Sequence, residues 1–162
     1  MKGLRIRIQP GAIYVALYQA LGAIPVVVDF SETYTALSQR VVDGMDIPIN
    51  FMVTGKYYNV CKQVAMLNHV VSIIPIMASM KKVATLPPNL QKLVREEAKA
   101  AQGQWREQTA QQLRDDVDAL RKNGVTVNEH IQIAPFRKAV TPVYAAYQGK
   151  FGDIVDRIAK AG

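Results

Sequence analysis

Residues 4 to 8, Leu4-Arg5-Ile6-Arg7-Ile8, alternate apolar and basic side chains, the period-two signature of a strand with one polar face. From residue 12 to 21 apolar positions return at helical spacing, and after Gly22-Ala23-Ile24-Pro25 a β-branched run, Val26-Val27-Val28, predicts a second, buried strand. Ser31 and Glu32 offer an N-cap and an early acid for a helix through Arg40, with Tyr34, Leu37 and Val41 on one side. Asp43-Gly44 then ends that helix, and residues 45 to 49 predict a short apolar strand. The order β-α-β-α-β is that of an open α/β sheet.

Residues 64 to 66 and 70 to 77 form a β-rich stretch broken by Asn68-His69 and by Pro75, which cannot donate to a ladder and so predicts an edge or crossing strand. Leu86-Pro87-Pro88-Asn89 opens the longest helix, because proline is tolerated only in a first turn, and nothing interrupts the pattern until Asn123-Gly124. Leu90, Leu93, Val94, Ala98, Ala101, Trp105, Leu113, Val117 and Leu120 keep to steps of three and four, which predicts one buried stripe and a charged opposite face. At 1.5 Å per residue the helix over residues 90 to 122 spans roughly 50 Å, more than the core of a domain this size accommodates. It is expected to bridge two bodies, kink near Gly103, or project. Residues 125 to 127 predict a return strand, Pro135 opens a helix through Tyr147, and residues 154 to 159 form a last amphipathic piece. Residues 1 to 162 read as a single α/β unit with no internal repeat.

With 162 residues and 49% hydrophobic content, the chain is long enough for one compact domain. Its single cysteine, Cys61, excludes an internal disulfide and a thiolate metal cluster. The net charge of +7 raises the question of a nucleic-acid partner, but the excess is spread as +2 over residues 1 to 79, +3 over 80 to 122 and +2 over 123 to 162. Without a basic stripe, no nucleic-acid partner is expected. Lys2, Arg5 and Arg7 before the apolar residues 12 to 28 imitate a secretory signal, but Pro10, Gly11, Gln19, Gly22 and Pro25 interrupt that stretch. The reading is neither an export signal nor an anchor, and a cytoplasmic protein if Met1 is the true start.

Arg7 is the sharpest chemical candidate, since a planar guanidinium holds a carboxylate through two parallel hydrogen bonds that lysine cannot reproduce. A strand arginine is otherwise a solvated surface residue, and Arg5, two residues away, shares its face and competes for the role. Phe30 fits either a ligand's apolar body or an ordinary core. His69 reads as a hydrogen-bonded structural residue, Tyr57 and Tyr58 as a pocket rim, and Trp105, Met66, Met77 and Met80 as core or interface filler. Two scattered histidines and one cysteine suggest no metal site, and no P-loop, dinucleotide fingerprint or nucleophile elbow is present. No cofactor and no catalytic constellation are expected.

Three segments in combination carry a resemblance: Leu4-Arg5-Ile6-Arg7-Ile8, Phe30-Ser31-Glu32-Thr33-Tyr34-Thr35-Ala36-Leu37, and Val42-Asp43-Gly44-Met45-Asp46-Ile47-Pro48. Together the chain resembles the C-terminal part of the solute-binding proteins of tripartite ATP-independent periplasmic (TRAP) transporters. The resemblance implies a partial periplasmic-binding-protein type II-like α/β fold, made of one lobe, hinge strands near His69 and a long helix that runs along both lobes. It also implies a periplasmic setting, a membrane permease as partner and a small organic acid as ligand. By the same resemblance Arg7 pairs with the acid's carboxylate, Phe30 walls its carbon skeleton, and Asp46 tunes selectivity by hydrogen bonding or repelling charge. Asp46-Ile47 departs from the Glu-Asn common there, and Ile47 cannot donate a side-chain hydrogen bond. Three explanations stay open: a more apolar acid, completion of the site by another group, or a lapsed site. Asn50 is a substitute donor or a capping residue.

Two alternatives remain on the residues alone. One is a folded remnant that binds nothing and self-associates as a homo-oligomer through surface that a missing lobe leaves bare. The other is a cytoplasmic basic protein acting through its long helix on proteins or nucleic acid.

Overall fold

In the computed structural model, which describes residues 1–71 and 75–161, the alternating segment becomes strand β1 (Arg5–Ile8), with Ile6 and Ile8 buried on one face. Helix α1 (Ala12–Ala20) and strand β2 (Ile24–Val27) follow, joined through Gly22, whose φ of 77° few L side chains adopt. A 3-10 turn over Phe30–Glu32 leads into α2 (Thr33–Ser38), and β3 (Gly44–Met45) closes the sheet. Both neighbours run parallel to β1 in the order β2-β1-β3, with Arg7 opposite Val26 on one side and Met45 on the other. Parallel neighbours require crossovers, which α1 and α2 provide.

Strand β2 lies at the edge of the sheet and is not buried as expected: Ile24 and Val27 are each about half exposed. An edge position also explains how Pro25, without an N–H, sits inside a strand. Helix α2 stops at Ser38, short of Asp43, and Arg40 beyond it takes a left-handed φ of 58° that helical backbone cannot continue. The strand expected over residues 45 to 49 shrinks to Gly44–Met45. Past Pro48, which has no N–H to extend a ladder, the chain turns into α3 (Ile49–Thr54). That helix ends at Gly55, where a β-carbon would lie 2.4 Å from the ring of the buried Tyr57.

Two apolar clusters flank the sheet. Ile6, Ile8, Tyr18 and Ala23 pack between β1 and α1, and α6 (Ile133–Phe151) covers α1 from outside with Val140 buried. On the face that carries Arg7, Ala36, Leu37, Val42, Met52, Tyr57, Leu120 and Val125 form the larger cluster. The end of the long helix α5 (Pro88–Lys122) inserts Leu120 into it, and α3 lies along that end. Gly124, at φ 74°, terminates α5, and β5 (Thr126–Asn128) then pairs in parallel with β4 (Gln63–Ala65) as a separate two-stranded sheet.

Helix α5 is continuous through Gly103, with Pro88 in its first turn, but its apolar stripe is buried only at the C-terminal end, at Val117 and Leu120. Every residue from 99 to 115 is exposed, including Trp105 and Leu113, because no described element packs there. Of the outcomes open to so long a helix, projection is the one found. Trp105, Met77 and Met80 are therefore exposed and not core filler, while Tyr57 is core and not rim. In the β-rich stretch of residues 70 to 77, residues 72–74 lie outside the described residues, and those on either side form no strand. Short helices α4 (Met80–Ala84) and α7 (Asp153–Ala161) complete the described chain.

Leu120 is fully buried where α5 meets the sheet layer. Leu120→Ala is expected to destabilise the chain by about 2–5 kcal/mol, read as a lowered urea midpoint with an unchanged m-value.

Candidate functional site

From β1 the chain crosses to β2 on one side and returns to β3 on the other, so the strand order reverses next to β1. In an open α/β sheet, the crevice beyond the carboxyl ends of the strands at such a reversal is where ligands bind. Arg7 stands there. Its Nε donates to the Val28 carbonyl at 2.9 Å, just past β2, and its Nη1 to the Asp46 carbonyl at 3.3 Å, just past β3. The backbone completes the frame, with Asp46 N donating to the Arg7 carbonyl at 2.9 Å. Among the described residues Nη2 has no hydrogen bond. Arg7 is only 4% exposed. Desolvation pulls its pKa down, and the fields of Tyr57, Asp46 and Asp29 push back. A fixed, desolvated guanidinium with donors to spare is suited to a carboxylate.

Arg5 shares the polar face but not this environment. It lies toward the other end of β1 and is held by Asp43, with Nη2 to Oδ1 at 2.6 Å, Nε to Oδ2 at 3.1 Å and its own backbone N to Oδ2 at 2.9 Å. A shallow hollow of about 460 Å³ lined by Arg5, Leu37, Arg40 and Asp43 opens there. Its Arg5 is already paired through both Nε and Nη2, whereas Arg7 keeps Nη2 without a hydrogen bond among the described residues.

Of the remaining expected residues, Asp46 alone is bonded to Arg7, through its backbone. Phe30 is about half exposed, and its ring meets Phe51 of α3 edge to face, centroids 5.3 Å apart. Asp46 turns its carboxylate to His69, with Nε2 to Oδ2 at 3.3 Å. Tyr18, buried on α1, stands edge-on to the His69 ring, and burial first, then the charge and hydrogen bond of Asp46, push its phenol pKa up. His69 is thus the hydrogen-bonded structural residue expected. Ile47 packs, partly buried, against the larger cluster. Asn50 lies exposed in the first turn of α3, where the N-cap is Pro48 and no side chain caps, so it is not a capping residue.

Phe51, Tyr18 and Asp29 were not marked as site residues by the sequence. Phe51 and Tyr18 carry only helical apolar spacing, the same signal as any core aromatic. Among the described residues no group of three or more His, Cys, Asp or Glu side chains could hold a metal ion, and no helix is long and apolar enough to cross a membrane. Cys61, half-buried, has its thiol pKa raised by desolvation, which suppresses nucleophilic use.

The sequence profile of the bacterial extracellular solute-binding proteins, family 7, matches residues 1–150. The sialic acid-binding periplasmic protein SiaP of Vibrio cholerae is 29% identical over 160 residues, covering 98% of this chain and 49% of that protein. A TRAP periplasmic solute-binding protein of Ochrobactrum anthropi, solved with its C-terminus bound in the ligand-binding pocket, superposes with a TM-score of 0.87 at 28% identity, over 99% of this chain and 51% of that one. Another from Roseobacter denitrificans, with bound 3-deoxy-D-manno-oct-2-ulosonic acid, gives a TM-score of 0.83 at 30% identity, over 99% and 53%. The chain spans about half the length of the relatives it matches.

The Arg5–Asp43 pair yields a pH dependence. Its hydrogen bonds to Arg5 hold the Asp43 carboxyl down at about 2, below its unfolded value, so the pair's contribution is complete above roughly pH 4 and is lost as pH falls toward 2. The difference in denaturant midpoint between wild type and Asp43→Asn is expected to be constant at neutral pH and to vanish near pH 2.

Proposed function

The chain belongs to the bacterial extracellular solute-binding protein family 7, the receptors of TRAP transporters, and has part of their type II-like fold; from that membership we propose that it contributes the arginine half of a site for a small organic acid. The observation that supports this reading is Arg7, buried at the sheet's reversal point, clamped through Nε and Nη1, with Nη2 free among the described residues. A ligand carboxylate docks on the open edge of the guanidinium. Phe30 packs on its carbon skeleton, and Asp46, steadied by His69 and Tyr18, sets which substituents are admitted beside the carboxylate. Ile47 presents an apolar wall, and Asn50 is a donor at the rim. Relatives in this family are periplasmic receptors, not enzymes, and work with membrane permeases. For this chain a periplasmic setting, a permease partner and an absence of catalysis belong to the same proposal.

A second reading has its own support. Leu90, Leu93, Val94, Trp105 and Leu113 are exposed along α5, and such surface favours self-association. In that reading the chain is a non-binding, self-associating protein.

Two measurements separate these readings. Arg7→Lys keeps the charge but loses the planar fork, so an acid that binds wild type is expected to lose about 10- to 100-fold in affinity, given 1.5–3 kcal/mol for a charge-assisted hydrogen bond. Equal affinity in a variant with an unchanged melting temperature rejects Arg7 as the carboxylate site. In sedimentation velocity, the self-association reading requires a mass that rises with concentration, and its loss in Leu93→Glu/Trp105→Glu. A monomer at all concentrations removes that reading.

A further inference from the structure

Resting on the arginine–carboxylate reading, we infer that His69 is a positioning residue of the acid site, acting through Asp46 on Arg7. The two carbonyls that clamp the guanidinium are unequally anchored. On the Val28 side, β2 pairs with β1 from Arg5–Ile24 to Ile8–Val27. The turn that follows is closed by Glu32 N and Thr33 Oγ1, which donate to the Asp29 carbonyl at 3.1 and 2.9 Å. On the Asp46 side, β3 pairs with β1 only at Ile6–Gly44 and Arg7–Met45, and the ladder ends with Asp46 N on the Arg7 carbonyl. Pro48 then has no N–H with which to extend it. The Asp46 carbonyl therefore sits just past a very short strand, and its bond from Arg7 Nη1 is the longer of the two, 3.3 Å against 2.9 Å.

The side chain of Asp46 supplies the anchor that this short ladder lacks. His69 Nε2 meets Asp46 Oδ2 at 3.3 Å, and the Asp46 side chain is mostly shielded from water. A carboxylate only accepts, so Nε2 is the nitrogen that carries the proton. His69 is itself held from two directions. Tyr18, 3% exposed in the cluster between β1 and α1, stands edge-on to the imidazole, with ring centroids 6.3 Å apart and planes at 83°. The Tyr18 phenol is pushed up by burial first and then by the charge and hydrogen bond of Asp46, so it stands beside the same carboxylate. Along the chain, Met66 N donates to the Asn128 carbonyl at 2.9 Å, and Asn68 takes a left-handed φ of 49° just before His69. His69 thus comes to Asp46 from the exit of the β4–β5 sheet and ties that sheet to the end of β3. A guanidinium grips a carboxylate by direction as well as by charge, so the groups that fix its carbonyl partners set its affinity without touching the ligand.

The test is hydrogen exchange by NMR on the ¹⁵N-labelled chain, followed by titration with acetate, a bare carboxylate probe, to tens of millimolar. In His69→Ala, exchange at the Asp46 amide is expected to rise at least fivefold and the Arg7 Nε–H resonance to move. The Ile24 amide, bonded to the Leu4 carbonyl at 2.8 Å on the β2 side, is expected to stay as protected as in wild type. His69→Gln, whose side-chain amide donates to a carboxylate, is expected to restore most of the protection at Asp46, and Tyr18→Phe to lose part of it. Acetate is expected to shift the Arg7 Nε–H resonance of wild type and of His69→Gln, with a Kd at least threefold higher in His69→Ala. Unchanged exchange at Asp46 in His69→Ala, or a rise shared equally by Ile24 and not reversed in His69→Gln, overturns the positioning role, and acetate binding at Arg7 then leaves the arginine–carboxylate reading standing. The expected exchange pattern with acetate leaving Arg7 unmoved in every chain upholds the positioning of Arg7 and overturns the acid site.

Discussion

A buried guanidinium is the constraint on which the rest of this fold is arranged. Taking Arg7 out of water is costly, and the chain offsets that cost with two backbone carbonyls, each at the end of a different strand. Val28 and Asp46 can reach Arg7 only if β2 and β3 lie on opposite sides of β1 and run parallel to it. The sheet order, the reversal point and the clamping of Arg7 are therefore one geometric fact. The same arrangement sets Arg5 apart: at the other end of β1 it faces solvent and Asp43, and its charge is spent on a surface pair.

Around this centre the molecule is unevenly packed. The sheet is covered on one side by α1 and α6, and on the other by α2, α3 and the last turns of α5. Over residues 99 to 115 of α5 no described element packs, and an amphipathic stripe lies in water. Even the packed end carries a flaw: Asp116 is buried, bonded to Gln112 through Oδ1, and its Oδ2 has no partner among the described residues.

Asp46 joins the sheet framework to the side chains beyond it. Its backbone braces Arg7 from both directions, while its side chain is held by His69 and Tyr18. A carboxylate fixed in this way adds negative field beside the guanidinium.

The sequence by itself determined many of the strands and helices, though not α3 or α4, because alternation and helical spacing are local properties of side-chain direction. β1, α1, the continuous α5 with its prolines at one end and Gly124 at the other, and β5 could all be read from it. Motif resemblance also placed Arg7, Phe30 and Asp46 together. It did not tell Arg5 from Arg7, did not show that β2 is an edge, and treated the α5 stripe as buried. Tertiary structure decided those points. The bonds that separate the two arginines join residues 21 and 39 positions apart, and a periodic pattern states which face is apolar without stating what covers it. Phe51 and Tyr18 were illegible for the same reason: an aromatic side chain at helical spacing becomes part of a site only when another segment brings Arg7, Phe30 or Asp46 beside it.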